Sequence, residues 1–312
     1  MSQCIYSAEC RDGKTLDFLT NEKDGIQIAV AREGGELISL QRRDAAGVWQ
    51  GFLHRDNLTA KPDVGWANHA TLMGYYLHRI KDEQTEYLGR PVRGSTHSFL
   101  RHKTLAVNGV KDHALRYAIF PEQIASEEYP FRVALELSYT LVGDTVRVGF
   151  AFQNYENHTA HVSFGLHPGF ACASLDDGEV LLPAGTYVRH FAPGNFLSGE
   201  TQTLEHAGGP MPFAKADLPG SYLLEPVDVP MPLYVFSDKT SGRVVELNFA
   251  GVPYVTLWSD GNTASPFICV EPCWGLPDHH EQRAFENKLG MQTIPPLGTL
   301  ERSFTMSPRF AR

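Results

Sequence analysis

The sequence predicts an all-β protein: one large antiparallel β-sandwich with few short helices, a single domain over residues 1–312. Three observations lead there. Apolar residues recur mostly with period two, Gly and Pro separate most apolar segments, and helical periodicity is scarce.

In chain order, Ile26, Ile28 and Val30 alternate with smaller or polar residues; Gly34-Gly35 turns the chain and Leu37-Ile38-Ser39-Leu40 resumes the strand. Strands follow at Thr104–Val107 and Leu115–Phe120. The clearest hairpin spans Phe131 to Phe152. There Val133, Leu135, Leu137 and Tyr139 share a face, Gly143-Asp144 turns, and Val146, Val148, Phe150 and Phe152 return. Comparable segments recur at His161–Leu166, Leu233–Phe236, Val244–Phe249 and Tyr254–Trp258. The Pro- and Gly-rich stretch from Pro183 to Pro232 reads as long loops with short strands, not as a domain linker. In Phe267-Ile268-Cys269-Val270-Glu271-Pro272-Cys273-Trp274-Gly275, four apolar residues run into a carboxylate, the pattern of a buried strand that ends abruptly. The one helix expected runs from Asp278 to Leu289. Asp278 would cap it, Glu281 complete a capping box, Phe285 and Leu289 share a face, and Gly290 end it. No repeat of fixed period is present.

A chain of 312 residues can bury a large core. Its formal charge of -9, without single-sign blocks, argues against nucleic-acid partners and against an anionic membrane surface. No segment approaches the ~18 apolar residues of a membrane-spanning helix. The start, Met1-Ser2-Gln3-Cys4-Ile5-Tyr6, lacks a basic region followed by an apolar stretch, so no signal peptide is evident. Cys4, Cys10, Cys172, Cys269 and Cys273 are odd in number and form no CxxC pair, which suits free thiols in the cytoplasm.

Glu271, at the end of its apolar run, would have its pKa raised by desolvation, which makes it a candidate general base. His167, in Phe164-Gly165-Leu166-His167-Pro168-Gly169-Phe170, has the same context: an apolar strand enters and a Pro-Gly turn leaves. An imidazole there can hold or release a proton near neutrality. Two further histidine segments stand out, Met73-Gly74-Tyr75-Tyr76-Leu77-His78-Arg79-Ile80 and Thr96-His97-Ser98-Phe99-Leu100-Arg101. Taken singly, each residue has an ordinary alternative: a salt-bridged glutamate, a hydrogen-bonded histidine, surface-paired arginines. Trp274 would either stack on a sugar's C–H face or anchor a loop on the core.

The ordered set of the Arg79-Ile80 segment, His97-Ser98-Phe99-Leu100-Arg101, Phe164 to Phe170 and Cys269-Val270-Glu271-Pro272-Cys273-Trp274-Gly275 resembles the aldose 1-epimerase (mutarotase) superfamily. It is most similar to the bacterial LacX-like branch. Trp258 before the glutamate segment and Lys288-Leu289-Gly290 after it strengthen the likeness, which runs from about Ile26 to Phe304. The resemblance implies a galactose mutarotase-like β-supersandwich, no cofactor, a small-molecule sugar partner, a monomer or homodimer, and interconversion of sugar anomers. Carried over by position, Glu271 matches the general base and His167 the general acid. His97 matches a second site histidine, and Arg79 and Arg101 match arginines that bind substrate.

That chemistry needs a proton taken from the anomeric hydroxyl and one given to the ring oxygen, and a carboxylate and an imidazolium expected on opposite sides of the ring can do both. Glu271 is then expected ionised and His167 protonated at rest. Two departures stand out. Ser98 and Leu100 replace the branch's common Gly and Ala and would narrow the pocket. The aspartate of galactose mutarotases has no counterpart, since Asp176, Asp177 and Asp217 lack matching surroundings.

Other readings are a glycosidase pairing Glu271 with Glu225 or Asp177, a non-catalytic sugar-binding or regulatory protein, and an epimerase of hexose 6-phosphates using Arg79, Arg93 and Arg101. No ligand set in the sequence is spaced for zinc; His279-His280 beside Asp278, as adjacent residues at an expected helix start, would point in different directions. Pro168-Gly169 and Gly208-Gly209 match no phosphate-binding loop.

Overall fold

The computed structural model describes residues 4–56, 65–111 and 113–311. All its sheets are antiparallel, and its helical segments are short 3-10 turns, with no α-helix among the described residues. Among the described residues no helix is long and apolar enough to cross a membrane.

The hairpin expected between Phe131 and Phe152 forms as Val133–Val142 and Thr145–Asn154, with Val142 opposite Thr145 across the Gly143-Asp144 turn. Alternate residues of both strands are buried, as the period-two pattern requires. The first hairpin also forms: Ile26–Ala31 pairs with Glu36–Arg43 around Gly34 and Gly35, both at positive φ. Thr104–Val107 is shifted, because Thr104 makes only an isolated bridge to Glu33 and the strand itself is Ala106–Lys111.

Two large sheets make the sandwich. A nine-stranded sheet is centred on Thr145–Asn154 and Thr299–Phe310. An eight-stranded sheet carries Tyr222–Asp228, Tyr254–Trp258, Phe267–Trp274 and Ala160–Ala171 side by side, with Ala70–Tyr75 on the far edge of the last. A five-stranded sheet from Ile5–Arg11 to Trp49–Gly51 packs alongside. The main core lies between the two large sheets and includes Phe150, Phe152, Phe164, Leu166, Phe170, Val270 and Trp274.

The opposite face of the eight-stranded sheet buries a smaller cluster, Met73, Leu77, Leu197, Leu223, Tyr254, Cys273 and Leu276, beneath covering loops. Strand parity sorts the residues. Even-numbered side chains of Ala160–Ala171 and Phe267–Trp274 enter the main core, and odd-numbered ones face the loops.

The Asp278–Leu289 helix does not form. Only Phe285–Asn287 makes a single 3-10 turn. Asp278 is drawn into tertiary contacts instead: its carboxylate accepts from the Lys81 and His279 backbone N–H groups at 3.0 and 2.9 Å and pairs with Lys288 Nζ at 2.6 Å.

Candidate active site

Neither Glu271 nor His167 ends its strand, contrary to the sequence expectation. Phe267–Trp274 continues three residues past Glu271, and Ala160–Ala171 four past His167. The hydrogen-bonded register between them puts Gly165 opposite Cys273 and Gly169 opposite Cys269, which sets His167 directly opposite Glu271. On the same count Leu166 faces Pro272 and Pro168 faces Val270, and the paired register is interrupted there. Each proline lacks an N–H donor, so the ladder opens around the His167–Glu271 pair without the chain leaving the sheet.

Gly165 and Gly169 share the His167 face. A Cβ on Gly165 would sit 2.4 Å from the Pro272 carbonyl oxygen, and one on Gly169 2.7 Å from the Trp66 ring. The first contact lets the two strands close up, and the second lets an indole lie over the backbone beside His167. The imidazole is thus the one side chain standing on that stretch of strand.

His167 Nε2 lies 3.3 Å from Glu271 Oε1, at the floor of a cavity of about 310 Å³. His97, Arg79 and Arg101 line the same cavity, so five residues remote in sequence meet in one place. The acid and base candidates stand shoulder to shoulder, not on opposite sides of a sugar-wide gap as expected. This geometry suits the chemistry, because the anomeric oxygen and the ring oxygen are bonded to the same carbon.

Trp274 is not in the cavity. Three residues from Glu271 along a strand, it has the opposite parity; it stacks on Phe164 at 5.1 Å and donates to the Gly251 carbonyl at 3.1 Å. The aromatic walls are Trp66 and Trp258, with ring centroids 4.9 and 5.3 Å from that of His167. Trp66 carries no periodic or motif signal in the sequence. Trp258, noted in the sequence only as a neighbour of the glutamate segment, alternates with Tyr254 and Thr256, and continuing that parity puts it on the Glu271 face.

His97 and His78 both have positive φ, near 60° and 53°. Backbone bonds hold this conformation: His97 N–H donates to the His78 carbonyl at 2.7 Å, and His78 N–H to His97 Nδ1 at 3.2 Å. With Nδ1 accepting, the neutral ring carries its proton on Nε2. Ser98 and Leu100 do not narrow the cavity. Ser98 Oγ accepts from the Tyr75 N–H at 3.1 Å, and Leu100 is packed in the main core.

The guanidiniums of Arg79 and Arg101 have no carboxylate partner among the described residues. Arg93 lies in a different surface depression with Gln84 and Gln282, so three arginines do not converge. Among the described residues Glu271 is the only carboxylate lining the cavity. Glu225 pairs instead with His190 at 2.8 Å, and Asp177 with Ser174 at 2.6 Å, so neither partner named for the two-carboxylate reading lines the cavity.

Burial raises the Glu271 carboxyl well above the usual carboxylate range. Burial also lowers the His167 imidazole to about 3, with His78 and Arg101 adding to the shift. Desolvation thus opposes the expected ionised-glutamate, protonated-histidine rest state. The neutral pair holds the same single proton, and moving it across the 3.3 Å contact generates the charged pair. Burial keeps His97 neutral far below its ordinary pKa, reinforced by His78, His167 and both arginines.

A sandwich of this topology, with Glu271 and His167 in contact and two arginines lining the same cavity, has the mutarotase-like fold. The profile of the family described as aldose 1-epimerase matches residues 17–293, and the chain belongs to that family. Among curated relatives, the chromosomal LacX protein of Lactococcus lactis subsp. lactis is 25% identical over 298 residues, 88% of this chain and 93% of that protein. A galactose mutarotase-related enzyme from Lactobacillus acidophilus superposes with a TM-score of 0.82 at 18% identity, covering 98% of this chain and 97% of that one. A galactose mutarotase-like protein from Lactobacillus casei gives 0.80 at 20% identity over 98% and 100%. At these identities the structures establish the shared fold.

Proposed function

We propose that this protein is an aldose 1-epimerase that interconverts the α and β anomers of a hexose by acid–base ring opening in the cytoplasm. The observation that carries the proposal is the 3.3 Å contact between His167 and Glu271 at the floor of a cavity sized for one monosaccharide. Five unbridged cysteines suit a reducing compartment.

A pyranose enters with its anomeric carbon over the pair. His97 Nε2–H donates to a ring-side oxygen, and the Arg79 and Arg101 forks bind hydroxyls. Trp66 and Trp258 cover the C–H surface. With the shared proton on His167, Glu271 removes the anomeric hydroxyl proton while the imidazolium protonates the ring oxygen. The C1–O5 bond breaks and the open aldehyde forms. Rotation about C1–C2 presents the other carbonyl face, and the reverse transfers close the other anomer. The pair ends with the same single proton, so it needs no external reset. Each positioned transfer contributes on the order of 10²–10⁴ in rate.

A hexose 6-phosphate is the second substrate class with support, because two guanidiniums, the half-buried Arg101 and the exposed Arg79, line this cavity without a carboxylate partner among the described residues. One-dimensional exchange NMR on a panel of aldoses and hexose 6-phosphates separates these outcomes. Faster anomer exchange for at least one sugar is expected. Saturable sugar binding without faster exchange would instead identify a regulatory binding protein.

A further inference from the structure

We propose that the floor of the cavity is also a regulatory zinc site: Cys269 Sγ, one imidazole nitrogen of His167 and one carboxylate oxygen of Glu271 take up a single Zn²⁺ reversibly, blocking the proton-transfer pair. Inhibition, though not zinc binding itself, rests on the mutarotase reading above.

The three donor atoms lie within 4.8 Å of one another, the only such metal-competent group among the described residues. No spacing in the sequence announces it, because the strands create it. Cys269 and Glu271 are two apart on one strand and share a face, and His167 stands opposite Glu271 on the neighbouring strand. All three are more than nine-tenths buried. Neither Glu271 oxygen has a hydrogen-bond partner, so a buried, unsatisfied carboxylate lies beside His167 Nε2 and Cys269 Sγ.

Sulfur, nitrogen and oxygen donors are what Zn²⁺ accepts in four-coordinate sites. Three protein ligands leave a fourth position towards the cavity, for water or a sugar oxygen. Charge balance favours the ion at depth: thiolate plus carboxylate cancels Zn²⁺, and the neutral imidazole adds nothing. Binding releases two protons to solvent, one from the Cys269 thiol and the one shared by Glu271 and His167, so affinity rises with pH. Burial, followed by the Glu271 charge, holds that thiol protonated, so zinc must displace a tightly held proton. Around the group, Arg79 and Arg101 repel a cation and His78 and His97 are held neutral, while Asp260 attracts it. The repulsion weakens the site to a reversible one. The ion occupies the lone pairs that proton transfer needs, which is why it inhibits.

The test uses the full chain, stripped with chelator and titrated with ZnCl₂ by calorimetry. One ion per chain is expected. Cys269→Ser and Cys269→Ala should each weaken binding at least about tenfold, while Cys10→Ser, at an exposed thiol, should not. Far-ultraviolet circular dichroism verifies that both Cys269 variants fold. Co²⁺ in place of Zn²⁺ should give thiolate-to-metal charge-transfer absorption that vanishes in Cys269→Ser. Exchange NMR should show zinc slowing the wild type in step with occupancy and leaving Cys269→Ser unaffected. A chain that binds zinc through Cys269 but exchanges no sugar would retain the site and lose the epimerase reading. Sugar exchange with zinc affinity absent, or equal in both Cys269 variants and the wild type, would overturn the site. Zinc-accelerated exchange would overturn the inhibitory role.

Discussion

Glu271 and His167 meet at 3.3 Å, and neither Glu271 oxygen nor His167 Nδ1 has a hydrogen-bond partner. In the proposed mechanism burial holds the pair's one exchangeable proton on the carboxyl, and a sugar whose hydroxyls replace lost hydration would let it pass to the imidazole. The two tryptophan positions separate binding from folding. Trp274→Ala should cost about 3–5 kcal/mol of stability in urea unfolding, since it removes a ring stacked between the sheets. Trp258→Ala, at the half-buried cavity wall, should leave the unfolding midpoint nearly unchanged and raise the sugar concentration that saturates exchange. The opposite pattern would place the sugar elsewhere. Parity explains which indole was legible: Glu271 and His167 stand out by residue type and context. Trp274 keeps a sugar-stacking reading beside the core-anchor one only if the strand stops at Glu271. Carrying period two onward to Trp274 turns its side chain into the core.

At the scale of elements, the site depends on a pair of strands that prolines interrupt without ending. Pro168 and Pro272 flank the His167–Glu271 row and remove donors on both sides of it. In the sequence these prolines mimic strand ends. Only the pairing of the two strands shows that each continues. The segment after Trp274 reads as a helix for the same kind of reason: Asp278 is a good cap by composition, but its carboxylate is claimed by Lys81 N–H and Lys288. The Asp278 N–H also donates to the Arg79 carbonyl at 3.2 Å, which ties the Arg79 segment to the loop beyond the Glu271 strand. Asp278→Ala should therefore cost about 3–5 kcal/mol by stranding a buried ammonium. It should also weaken sugar saturation, because the lost carboxylate holds the Lys81 N–H two residues beyond Arg79. Replacing both partners, Asp278→Leu with Lys288→Met, should recover much of the stability but not the Arg79 positioning. Recovery of both would reduce the pair to a purely structural role.

For the whole molecule, the sandwich class, the hairpins and the absence of long helices are legible in the period-two pattern. The pairing of distant strands that assembles the cavity is not, because register between segments a hundred residues apart leaves no local trace. The assembled histidine cluster gives the molecule a pH signature. Burial lowers His78 to about 4 and His167 to about 3, and holds His97 well below its ordinary value. As pH falls below about 6.5 the unfolded chain binds protons at these positions and the folded one does not, so stability is lost on acidification towards pH ~4. Glu271 acts the other way. Its raised folded pKa favours the native state at low pH, and that contribution fades as pH rises above the ordinary carboxylate range. Three histidines outweigh one carboxyl between pH ~4.5 and ~6.5. Thermal melts should show the midpoint dropping across that window, with a shallower drop in His78→Gln, and equal slopes in the two proteins would contradict the assignment.

The measurement closest to the central claim is anomer exchange by NMR on the best sugar, comparing wild type, Glu271→Gln, His167→Ala and the double variant. Each single change should slow exchange by ~10² or more, and the double should be little slower than either, because the two groups work as one proton-sharing unit. Single variants that exchange at the wild-type rate, or independent losses that multiply in the double, would contradict it.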